Sequence, residues 1–65
     1  MTLTVIDIDK AKKIIRAKGF ICTEYSGFPQ APRLHGATNA QMDERGNIIL
    51  NYFNKLDQWA KFGKG

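Results

Sequence analysis

A chain of 65 residues makes one small domain, of a size at which folding buries only about 60% of the unfolded chain's surface, so a deep catalytic cleft is not expected. Ten Lys and Arg against six Asp and Glu leave a net charge of +4, which points to an acidic partner, either nucleic acid or an acidic protein surface. Cys22 is the only cysteine, which excludes an internal disulfide and fits a reducing, cytoplasmic compartment.

Met1 to Ile8 carry no basic n-region and no long apolar run, so no secretory signal is expected. No segment approaches the roughly 20 apolar residues of a membrane span. A core this small can be extended by self-association, and a homodimer sharing an apolar sheet face is a further expectation.

Taken in order, Thr4 to Phe20 read as a helix with both ends written out. Thr4 is the N-cap with Asp7 at N3, and Leu3 and Ile8 hold the positions of a hydrophobic staple. Gly19 takes the left-handed position past the C-terminus, and Phe20 folds back on Ile15. Asp7 and Asp9 precede Lys10, Lys12, Lys13, Arg16 and Lys18, the charge order a helix dipole favours. Ile8, Ala11, Ile14 and Ile15 share the apolar face. Val5 and Ile6 fall off that stripe and leave a competing reading, with a strand over Leu3–Ile6 and the helix starting at Asp7. The cap and staple favour the longer helix.

Phe20 to Tyr25, rich in aromatic and β-branched residues, predict a strand ended by the Ser26-Gly27 turn signal. Pro29 and Pro32 interrupt any ladder, so Ser26 to Ala37 form a long loop, of a length that is usually functional or mobile. Thr38, Ala40 and Met42 alternate with Asn39, Gln41 and Asp43, predicting a second strand. Glu44, Arg45 and Gly46 form a three-residue hairpin connection. Ile48 to Phe53, apolar on both faces except for Asn51, form the most buried strand. Asn54 caps a last helix, with Asp57 at N3, Leu56, Trp59 and Ala60 on one face and Gly63 as the stop. The expected fold class is α+β, in the order αβββα: a three-stranded antiparallel sheet with two helices on one face.

Three groups of residues carry candidate chemistry. Lys10, Lys12, Lys13, Arg16 and Lys18, half of the basic residues, fall within nine consecutive positions, a spacing that can follow phosphates along a helix or simply solvate it. In the loop region Tyr25, Phe28, Arg33, Leu34 and His35 combine aromatic, basic and apolar groups of the kind that protein interfaces and base stacking use. The bland alternative is that Phe28 and Leu34 tuck under the loop as a satellite cluster. His35 and Cys22 are the only residues with obvious nucleophile or metal chemistry, and two ligands are too few for structural zinc. No metal or cofactor is expected, and no phosphate-cradling glycine motif is present. Trp59 and Phe62 read as core anchors.

The αβββα order, over most of the chain, is similar to that of the double-stranded RNA-binding domain and of small toxin ribonucleases of the HicA kind. The Gly19-Phe20 step and Gly27 match the toxins, but Phe28 and Pro29 stand where their Ser and His would be, and the histidine lies in Leu34-His35-Gly36. The last helix offers Lys55 and Lys61 rather than the Lys-rich start of the RNA-binding domain. The resemblance is one of topology, and topology does not deliver function. The leading expectation is therefore a non-enzymatic binding module that takes nucleic acid on the basic helix. A protein-binding regulator or inhibitor acting through the loop comes second, and a small ribonuclease using His35 third.

Overall fold

Val5 and Ile6 decide how the chain begins. Two β-branched residues in succession are stiff at χ1 and favour an extended backbone, and Thr4–Ile6 form a strand, β1. The computed structural model describes residues 3–53 and 55–64. After β1 come helix α1 (Ile8–Lys18) and strands β2 (Ile21–Ser26), β3 (Ala37–Met42), β4 (Ile48–Tyr52) and β5 (Lys55–Gly63). The expected three-stranded sheet with two helices is thus replaced by one helix and a five-stranded antiparallel sheet, in the order β1-β3-β4-β5-β2. With it goes the topological resemblance to the RNA-binding domain and the toxin ribonucleases.

Both departures come from pairing with a strand distant in sequence. Thr4 does not cap the helix, because its backbone is committed to pairing with Met42. Asp7 caps instead, with φ −65° and ψ 135° and its carboxylate accepting from the Lys10 backbone N–H at 3.3 Å. At the other end the structure follows the sequence: Gly19 is left-handed at φ 66°, and the Phe20 N–H closes on the Ile15 carbonyl at 3.0 Å.

The last element is a strand, although Trp59 and Ala60 fit a helical stripe. Its second pattern, of period two, wins because Ala60 and Phe62 pair with Leu50 and Ile48 of β4 and enter the core together. Non-local burial outweighs local propensity here. The proposed Asn54 cap and the Leu56 side chain lie outside the described residues.

β4 is the central strand, and its Ile48, Leu50 and Tyr52 are buried on one face. Full burial of an aliphatic side chain of this size contributes about 1.5–3 kcal/mol. Ala11 and Ile15 of α1 lie against that face with Ala40, Ala60 and Phe62. The three alanines, none more than 1% exposed, leave room for the helix to sit close to the sheet. β1 and β2 end up at opposite edges, running in the same direction, because every neighbouring pair is antiparallel. The α1 crossover therefore spans the whole sheet, and one helix covers one face of it.

The hairpin between β3 and β4 forms where the sequence places it. The Asp43 N–H donates to the Asn47 carbonyl at 3.0 Å and the Gly46 N–H to the Asp43 carbonyl at 3.1 Å. Asp43 organises the turn further, its Oδ1 accepting from the backbone N–H groups of Arg45 and Asn47, each at 2.9 Å.

Candidate nucleic-acid interface

The Asp7 cap and the burial of Ala11 and Ile15 fix the rotation of α1 about its axis, and that rotation decides where its cations go. Lys10, Lys13 and Arg16 project on the side opposite the core contact and are exposed, as is Lys18; Lys12 is half-buried. Six helical steps carry the chain from Lys10 to Arg16, a rise of about 9 Å, a length over which a DNA duplex presents about five negative charges. Asp9 stands four residues before Lys13 without forming an ion pair. Among the described residues the ion pair is Lys61–Asp43 at 3.8 Å, on the sheet, and none involves the cations of α1. Lys18 is partly engaged, its ammonium 5.8 Å from the centre of the Phe20 ring, a cation–π distance. The structure thus puts Lys10, Lys13 and Arg16 on one surface, with Lys12 turned half into the fold and Lys18 toward Phe20.

The loop group is divided. Phe28 packs edge-on against Tyr52, with ring centres 5.0 Å apart and planes at 81°, and Leu34 packs against the core. Tyr25, Arg33 and His35 are exposed. The two apolar members thus serve the fold, and the satellite-cluster alternative describes them.

Cys22 and His35 are not joined by a hydrogen bond. The Cys22 thiol donates instead to the Glu24 carbonyl at 3.4 Å, and burial pushes its pKa up, which keeps it protonated and weakly nucleophilic near neutrality. Tyr52 beside it is pushed up to about 12, by burial first and by the thiolate charge of Cys22 second. Its hydroxyl has no hydrogen-bond partner among the described residues. Among the described residues no three His, Cys, Asp or Glu side chains converge as a metal site, and no helix is long and apolar enough to cross a membrane.

Two surface features escape the sequence reading. Phe53 is a connecting residue between β4 and β5 rather than the end of a strand, with φ 52° and 64% of its surface exposed. A bulky side chain in the left-handed region is a genuine outlier. The only sequence signal is its place just before Asn54, a residue type common in tight turns. Trp59, read as a core anchor, is half-buried on the side of the sheet away from α1, paired with Asn51 and Ser26. No protein-family model, curated protein or solved structure matches this chain.

Proposed function

We propose that this domain is a non-enzymatic nucleic-acid-binding module that lays the exposed face of α1 along a phosphate backbone. The observation that supports it is the row of cations on one helix face with no acidic side chain paired to them. None of them is held in an ion pair among the described residues, so they are available to displace counterions from phosphate. Lys10, Lys13 and Arg16 make the contact, with Lys12 and Lys18 at its margins. The contact is to backbone, so it is tolerant of sequence. A cytoplasmic setting, where nucleic acid is abundant and Cys22 stays reduced, suits this reading. The test is titration of a fluorescent DNA duplex and a single-stranded RNA with the wild type and with K10A/K13A/R16A. Loss of binding in the variant with an unchanged circular dichroism spectrum supports the proposal; equal affinity refutes it.

A second reading, docking to a protein, is favoured by Phe53. A strained, solvated aromatic contributes little to this chain's own core, yet is the kind of anchor that interfaces use. It lies beside Gly36, next in sequence to His35 and near Arg33. In that case a partner is lost on Phe53→Ala and kept by the triple helix variant. A ribonuclease using His35 has less support, because no nucleophile or second proton-transfer group is hydrogen-bonded to that imidazole among the described residues.

A further inference from the structure

The helix covers one face of the sheet and leaves the other without a layer of its own. Across the strands of that second face Val5, Gln41, Ile49, Lys61 and Glu24 form one row, and Asn39, Asn51, Trp59 and Ser26 the next. Ile49 and Trp59 sit diagonally at its middle and are only half-buried, while Val5 is 78% exposed and Leu3 50%. A cleft of about 600 Å³ opens above Ile49 and Trp59. Apolar groups held at the centre of a face and framed by polar ones form the pattern of an interface, with a dry middle and a wet rim.

The charges say what fits. Glu24, Asp43 and Glu44 line the same cleft as Arg45 and Lys61. With three carboxylates against two cations, one of them paired to Asp43, this face does not attract a phosphate chain as α1 does. A surface carrying both signs side by side is complementary to itself under a two-fold rotation, the symmetry of most small oligomers. The molecule measures 25 by 22 Å across its two longer axes, so covering one whole face reaches the low end of the area that specific interfaces bury, about 1,000 Å².

We propose that this face is covered by a second copy of the chain, in a two-fold dimer that stacks sheet on sheet with Ile49 and Trp59 of each copy at its centre. The two helices then lie on the outer sides, and their cations stay accessible. The dimer stands on the sheet face alone and does not depend on what α1 binds.

Trp59 is the sole tryptophan and so reports directly on whether the face is covered. Sedimentation, Trp emission and acrylamide quenching of the unmodified protein are followed together from about 1 μM to 1 mM, the affinity range suited to an interface of this size. The expected result is a twofold rise in mass accompanied by a blue shift and reduced quenching. Ile49→Asp, which places an unpaired charge at the centre, should stay monomeric with concentration-independent emission. Tyr25→Lys, on the β2 edge but on the helix side of the sheet, where Tyr25 pairs with Ala60, should dimerise like the wild type. A monomer at the highest concentration overturns the proposal. So does a dimer in which Trp59 quenching is unchanged, since that dimer forms elsewhere, for instance by edge-to-edge pairing of β2.

Discussion

Gly27 is the place where the long loop leaves β2, and it touches β5 so closely that a single methyl group tests the sheet order. Its φ is +82°, and an added Cβ would collide with the Asp57 carbonyl oxygen and stand 2.9 Å from Cγ of Gln58. Gly27→Ala therefore carries two costs. An L-residue in the left-handed region costs about 1–2 kcal/mol, and overpacking against the backbone of β5 costs about 1–3 kcal/mol more. The sum is about 2–5 kcal/mol, against about 3–10 kcal/mol of total stability for a chain of this length. Gly46 is the control: its φ is +86° with nothing within 4 Å of a built Cβ, so Gly46→Ala bears the first cost alone, about 1–2 kcal/mol. Urea unfolding followed by circular dichroism compares them. With a slope near 1 kcal/mol per molar urea, Gly27→Ala should lower the midpoint by about twice as much as Gly46→Ala or more. Equal shifts would refute the close approach of Gly27 to β5, and with it the pairing of β2 at that edge.

The capping assignment predicts that Asp7→Ala destabilises by about 1 kcal/mol, while Thr4→Ala, on an exposed edge strand, costs less; the reverse order in chemical denaturation would restore a helix beginning at Thr4. Burial disfavours ionisation of Asp43, but the Asn47 and Arg45 N–H groups, the Asn47 side chain and Lys61 outweigh it and hold its carboxyl below the usual range. A depressed folded pKa gives stability that is present above the unfolded value of about 3.9 and lost as pH falls through the folded one. Asp43→Asn should remove that part of the acid dependence, as thermal unfolding between about pH 2 and 6 will show. Phe53→Asn should raise stability by about 0.5–1 kcal/mol, since Asn tolerates the left-handed region and little burial is lost; a fall in midpoint would mean the ring is anchored in the fold.

How far the fold could be read from the sequence depended on which signals were local. The Gly19 stop, the Glu44-Arg45-Gly46 connection and the central position of β4 are written in short stretches, and the structure shows all three. The start and end of the chain were misread because each carries two legible patterns. Thr4 to Asp7 spell a capping box, yet β-branched Val5 and Ile6 spell a strand, and pairing with β3 decides. Trp59 and Ala60 fit a helix of period 3.6, yet Ala60 and Phe62 alternate with Trp59 and Lys61, and contact with β4 decides. The cations of α1 were legible as a group because helical geometry alone puts Lys10, Lys13 and Arg16 on one side. An open sheet face was expected, since both expected helices lay on one side, but its residues were not legible, because Trp59 and Lys61 join it only once the second helix is replaced by β5. Phe53 was hidden for the related reason that a strand ending in Tyr-Phe reads no differently from a strand followed by a strained turn.

The salt dependence of nucleic-acid binding tests the central claim most directly. If Lys10, Lys13 and Arg16 each neutralise one phosphate of a DNA duplex, log affinity should fall against log salt concentration with a slope of about −0.9 per contact, about −2.7 from these three. The K10A/K13A/R16A variant should lose that part of the slope along with its affinity. A slope near zero in the wild type, or one left unchanged in the variant, would contradict a phosphate-binding role for α1.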